Sequence, residues 1–170
     1  MPDLAAINRM EAGAFVALLG GVFEHAPWVA EAAWPHRPFA SVGALHDAMM
    51  RAVRAAPAER RRAFLNNHPD LAGPEARARS LTADSAREQG SAGLDRITAE
   101  EAAAFDRLNA AYRARFGFPF IIAVRGRSRA EILSAFAARL ARDPGLEEAT
   151  ALEEVALITR MRLDGLDVAD

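Results

Sequence analysis

Apolar residues recur three and four positions apart along most of this 170-residue chain, which gathers them on one face of a helix. A strand face would repeat every second residue instead. The clearest case begins at Thr98, which forms a capping-box pattern with Glu101. Phe105, Leu108, Tyr112 and Phe116 follow along one face, and Gly117 supplies a stop. Ser128 and Glu131 repeat the capping pattern before Ile132, Leu133, Phe136 and Leu140. Pro144-Gly145 then separates this helix from a last one carrying Leu152, Val155, Ile158 and Met161. Upstream, Asn8 is expected to cap a helix through Phe15, Leu18, Leu19 and Phe23, and Pro27 to open a short one over residues 28 to 34. Ser41 is expected to cap a helix with Leu45, Met49 and Val53, and Pro57 to sit in the first turn of the next, which holds Phe64 and Leu65. The expected fold is all-α: one compact multi-helix domain over residues 1–170, with no internal repeat and no second domain boundary.

Two stretches depart from this pattern. Residues 66 to 97 are rich in Gly, Pro, Ser, Asp and Asn and read as a long irregular segment, which inside a compact domain is often functional. The run Phe118-Pro119-Phe120-Ile121-Ile122-Ala123-Val124 has β-branched residues but no second strand to pair with, so it reads as buried and either irregular or helical.

Composition removes whole classes of chemistry. With 51% hydrophobic and 26% charged residues and a net charge of −2, the chain has no field that favours nucleic acid or acidic membranes as partners. No apolar run approaches the ~20 residues of a membrane span. Met1-Pro2-Asp3-Leu4 lacks the order of a signal peptide, so a cytoplasmic location is expected. There is no cysteine, which excludes disulfides, thiolate nucleophiles and iron–sulfur clusters. All 21 basic residues other than histidine are arginine, so no side-chain amine can form a Schiff base with a carbonyl substrate or pyridoxal phosphate. No glycine-rich phosphate loop and no Gly-x-Ser-x-Gly elbow occurs.

Among the four histidines, His68 stands at an expected helix end, beside a stiffening proline and at the start of the irregular stretch. Histidine suits proton transfer near neutral pH, but a histidine there also serves as a simple helix cap, and both readings fit. Asp84, Ser85, Arg87, Glu88 and Gln89 form a dense polar cluster in which Ser85, Glu88 and Gln89 share a face of any helical turn. A capping box from Ser85 to Glu88 is the plain explanation; an acid–base pair of His68 and Glu88, with Ser85 and Gln89 binding amides, is the functional one. Arg125 either meets a carboxylate with its planar fork or is the solvated end of the apolar run. His25, His36 and His46, with Glu24 and Asp47, have no recognised metal-ligand spacing, and no metal is expected.

Three segments in register resemble the family of 2-oxo-4-hydroxy-4-carboxy-5-ureidoimidazoline (OHCU) decarboxylases. They are His68-Pro69-Asp70-Leu71-Ala72-Gly73, then Ser85 to Leu94 with Glu88-Gln89 and Ala92-Gly93-Leu94, and then Phe116 to Arg125. The likeness extends from Phe15 through Phe23-Glu24-His25-Ala26-Pro27-Trp28 to the final helix. The resemblance implies an all-helical, usually dimeric enzyme of urate degradation that forms (S)-allantoin and carbon dioxide with no cofactor. It implies His68 as the catalytic histidine, with Pro69, the segment Ser85, Ala86, Arg87, Glu88 and Gln89, and the segment Phe120, Ile121, Ile122, Ala123 and Val124 contacting the substrate. Glu88 as partner of the histidine and Arg125 as an added contact are inferences from chemistry and position. Two other readings compete: a metal-assisted amidohydrolase of ureides, and a non-catalytic helical module that binds a partner through an apolar face.

Overall fold

The computed structural model describes residues 1–170 and contains ten α-helices, one 3-10 turn and no strand, in keeping with the spacing of the apolar residues. The chain packs as two compact units. One holds residues 1–67 and 156–170, the other residues 68–155, and the last helix is divided between them.

The first unit contains α1 (Leu4–Arg9), α2 (Ala12–Leu19), α3 (Trp28–Ala33), the 3-10 turn Trp34–His36, α4 (Val42–Ala55), α5 (Ala58–Asn66) and the end of α10 (Pro144–Asp164). Ser41 caps α4 as expected, its Oγ accepting from Ala44 N at 3.0 Å. The cap of the first helix is Asp3, whose Oδ1 accepts from Ala6 N at 2.7 Å. Asn8 lies inside α1, not at the start of α2, which carries Phe15, Leu18 and Leu19 and has Glu11 at its N-cap; Asn8 uses both ends of its amide on Phe39, accepting from its N–H at 2.8 Å and donating to its carbonyl at 2.9 Å. Pro57 stands one position earlier than expected, at the N-cap of α5 rather than in its first turn. Phe15, Leu19, Phe23, Leu45, Met49 and Phe64 are fully buried, and each such side chain contributes roughly 1.5–3 kcal/mol by leaving water.

His46 is buried in this unit, its Nε2 2.9 Å from Thr159 Oγ1. Burial, and next the charge of Arg160, lower its pKa from the ordinary 6.5. The folded chain therefore resists a proton that the unfolded chain accepts. The stability that a neutral His46 contributes is full above about pH 6.5, is lost as the pH falls below it, and levels off below the lowered folded value. The melting temperature of a His46→Gln variant is expected to depend less on pH between 7.5 and 5.5 than that of the wild type, which thermal scans at the two values will check.

The second unit contains α6 (Pro74–Arg77), α7 (Ala83–Ser91), α8 (Ala99–Phe116), α9 (Arg129–Leu140) and the start of α10. Both expected capping boxes form, Glu101 N reaching Thr98 Oγ1 and Glu131 N reaching Ser128 Oγ, each at 3.1 Å. Gly117 ends α8 at φ 78°, the left-handed conformation that glycine adopts without a Cβ penalty. On α8 the buried stripe is Phe105, Asn109, Tyr112 and Phe116, while Leu108 is only half-buried. Residues 66 to 97 are more ordered than their composition suggests, since α6 and α7 lie within them. Pro119 to Val124 runs without helix, turn or bend, and all six residues are buried. Its anchor is aromatic: Phe120 stacks on Phe136 at 3.9 Å and meets Tyr112 edge-on at 5.5 Å, pairs worth about 0.5–1.5 kcal/mol each beyond their burial.

Candidate active site

His68 directly follows the cap residue of α5 and is 6% exposed, too enclosed for a solvated surface histidine. The loop after it is built with unusual care. Ala72 adopts φ 50°, a left-handed conformation that costs a non-glycine residue on the order of 1–3 kcal/mol and persists only where its surroundings impose it. Those surroundings are visible. Gln89 Oε1 accepts from Ala72 N at 2.9 Å while its Nε2 donates to the Asp70 carbonyl at 3.3 Å. Asn109 Nδ2 donates to the Leu71 carbonyl at 3.0 Å, and Arg113 Nε binds Asp70 Oδ1 at 2.9 Å. Helices α7 and α8 thus hold three consecutive residues of the loop that carries His68.

Gly73 completes this loop through a close approach. A Cβ placed there would lie 2.8 Å from Asp70 Cβ and 3.4 Å from the Asp70 carbonyl oxygen. Gly73→Ala is expected to cost about 1–3 kcal/mol, as overpacking of a tight site does, and the midpoint of urea unfolding will measure it.

The polar cluster of residues 84–89 lies on α7, whose N-cap is Thr82: its Oγ1 accepts from Ser85 N at 3.3 Å. Ser85 is therefore in the first turn of the helix, and the box expected from Ser85 to Glu88 is replaced by a cap three residues earlier. Ser85 and Gln89 are buried and Glu88 is half-buried, so the expected shared face exists; Ala86 and Arg87 are exposed, with Arg87 paired to Asp84.

The segment from Phe120 to Val124 is pinned by two helices. Arg139 on α9 donates from Nη1 to the Ile121 carbonyl at 2.6 Å and lies over the Phe120 ring at 4.4 Å. Glu154 on α10 accepts at Oε2 from Ala123 N at 2.9 Å. Arg125, one residue beyond, is exposed. Arg139 in turn is neutralised by the fully buried Glu147, its Nε 2.6 Å from Oε1. Tyr112 donates to the same oxygen at 2.5 Å, and burial, reinforced by that bond, raises its pKa and keeps it a donor.

No motif marks Asn109, Arg113, Arg139 and Glu154 as parts of a site. Two of them had a legible signal: Asn109 interrupts the stripe Phe105–Tyr112–Phe116, and Arg139 continues the face of Ile132 and Phe136. The structure gathers no three His, Asp or Glu side chains able to hold a metal ion. No helix is long and apolar enough to cross a membrane.

The model of the OHCU decarboxylase family matches residues 8–164. The chain belongs to the OHCU decarboxylase family. It is 39% identical to the mouse 2-oxo-4-hydroxy-4-carboxy-5-ureidoimidazoline decarboxylase, over 96% of this chain and 92% of that protein. With the enzyme of the same name from Haloferax volcanii it shares 41% identity, over 94% of this chain and 93% of the other. It is also 39% identical to part of the uric acid degradation bifunctional protein of a Bacillus species, spanning 96% of this chain and 32% of that longer one. Among solved structures, an (S)-allantoin synthase superposes with a TM-score of 0.76 at 29% identity, over 96% of this chain and 53% of that chain. This member of the OHCU decarboxylase family is thus an enzyme, a carboxy-lyase of urate degradation.

Proposed function

We propose that this chain converts OHCU to (S)-allantoin and carbon dioxide without a cofactor, with His68 moving the proton. The observation that carries this reading is the enclosed His68 at the head of a strained loop, Asp70 to Gly73, that Gln89, Asn109 and Arg113 hold in place. Such strain is retained where a conformation is needed for function.

The chemistry suits a chain without lysine. The substrate has an imine next to the carbon that bears the carboxylate. When the carbon–carboxylate bond breaks, its electron pair passes toward that imine, so the substrate supplies its own electron sink. The protein's share is to orient the carboxylate, hold the ureido group and manage protons. His68 accepts or shares the hydroxyl proton as carbon dioxide leaves, and Glu88 fixes the histidine or a ureido N–H. Pro69, Ser85 to Gln89, the backbone of Phe120 to Val124 and Arg125 surround the substrate, and reprotonation at the ureido-bearing carbon sets the enantiomer. Residues 1–170 act as one functional domain, working as a homodimer in the cytoplasm.

The test is kinetic. OHCU generated from urate by the two upstream enzymes decays spontaneously, and its ultraviolet absorbance should disappear faster in proportion to the amount of this protein added. Decay that stays at the spontaneous rate would overturn the proposal. Sedimentation at twice the 18.3 kDa of the chain would support the dimer.

A further inference from the structure

We propose that Glu154 and Arg139 are positioning residues that fix residues 121–123 so that the backbone N–H and C=O of Ile122 are the pair presented to the substrate.

Residues 119 to 124 form no helix, turn or bend, so their backbone groups are not paired within a regular element. The Ile121 carbonyl is taken by Arg139 at 2.6 Å and the Ala123 N–H by Glu154 at 2.9 Å. The two anchors bracket Ile122, one on each flanking residue.

Neither Ile122 group has a hydrogen bond within the chain, although the residue is only 4% exposed. A buried backbone donor and acceptor left together without partners is rare, and each costs about 1–3 kcal/mol unless something else pairs with it. A ureido or ring amide has the matching donor and acceptor edge. This inference rests on the proposed function and adds to it which backbone groups bind and which side chains aim them.

Glu154 is suited to the task. Its side chain is 14% exposed, and its second oxygen lies 3.9 Å from Arg127 Nη2, across the turn closed by the bond from Arg127 N to the Val124 carbonyl at 3.0 Å. One side chain thereby spans the end of the segment and the turn that follows.

The experiment compares steady-state kinetics of Glu154→Ala, Glu154→Gln and the exposed neighbour Glu153→Ala in the full chain. Glu154→Ala is expected to raise KM about tenfold with kcat within about threefold, the signature of lost binding common to ground and transition states. Glu154→Gln retains an acceptor for Ala123 N–H and should return KM to within about threefold of wild type, and Glu153→Ala should match wild type. Unchanged KM in Glu154→Ala with a lowered melting temperature would overturn the inference by making the residue merely structural. Failure of Glu154→Gln to restore KM would overturn it too, since charge rather than the Ala123 bond would then matter. Wild-type turnover in the same assay tests the proposed function separately: its absence refutes that reading, whereas turnover with an unshifted KM in Glu154→Ala refutes only this one.

Discussion

Replacing His68 with asparagine is expected to lower turnover of OHCU by about 10²–10⁴-fold, the range a positioned proton-transfer group contributes. Asparagine is the informative replacement because His68 is buried, and alanine would add a cavity to the loss of the ring. The folding cost of His68→Asn should be about 1 kcal/mol, a shift of roughly 2–4 °C for a chain of this size. Kinetics and thermal unfolding on the same preparation separate the two effects. Turnover within a few fold of wild type would remove His68 from the chemistry and leave it as a structural residue just past the cap of α5.

The second large effect concerns stability. Glu147 has no exposure and holds Arg139 and Tyr112 through one oxygen. Glu147→Leu leaves the arginine buried without its counter-charge and the tyrosine hydroxyl without its acceptor. Breaking a buried pair by removing one partner costs about 3–5 kcal/mol, which corresponds to a fall in melting temperature on the order of 6–20 °C. The double variant Arg139→Met with Glu147→Leu should recover most of this loss, because replacing both charges by apolar groups of similar volume is often neutral. Yet the double variant removes the donor to the Ile121 carbonyl, so recovered stability should come with a raised KM. A melting temperature for Glu147→Leu within about 2 °C of wild type would show that the pair contributes little.

Much of the helical framework was legible because its signals are local. The boxes at Thr98 and Ser128, the cap at Ser41 and the stop at Gly117 each depend on a few neighbouring residues, and each formed. What was misread at the same scale had two candidates close together. Asn8 does not cap the helix of Phe15, Leu18 and Leu19, which starts after Glu11 with no side-chain cap, and Thr82 rather than Ser85 caps α7, because any short polar side chain can cap and only the fold decides which backbone N–H it meets. The composition of residues 66 to 97 concealed two short helices, since Gly, Pro, Ser and Asp mark caps and turns as readily as disorder.

The candidate site was legible in its parts but not in its supports. The segments around His68, Ser85 and Phe120 stand out by residue type. The bonds from Gln89, Asn109 and Arg113 to the loop, and from Arg139 and Glu154 to the apolar segment, join residues 17 to 43 positions apart, a relation that no local spacing encodes. Gln89 illustrates the difference: expected to bind ring amides, it lies buried with both ends of its own amide on the loop backbone, so any contact with substrate uses its remaining donor or lone pair.

Stereospecific decarboxylation by this chain is read in the configuration of its product. Urate is converted to OHCU by the upstream enzymes in the presence of the protein, and the circular dichroism of the accumulating allantoin is recorded before spontaneous decay contributes. A signal of (S)-allantoin is expected whose initial rate rises with protein concentration and which His68→Asn abolishes. Racemic allantoin, with no dichroic signal at any protein concentration, would contradict it.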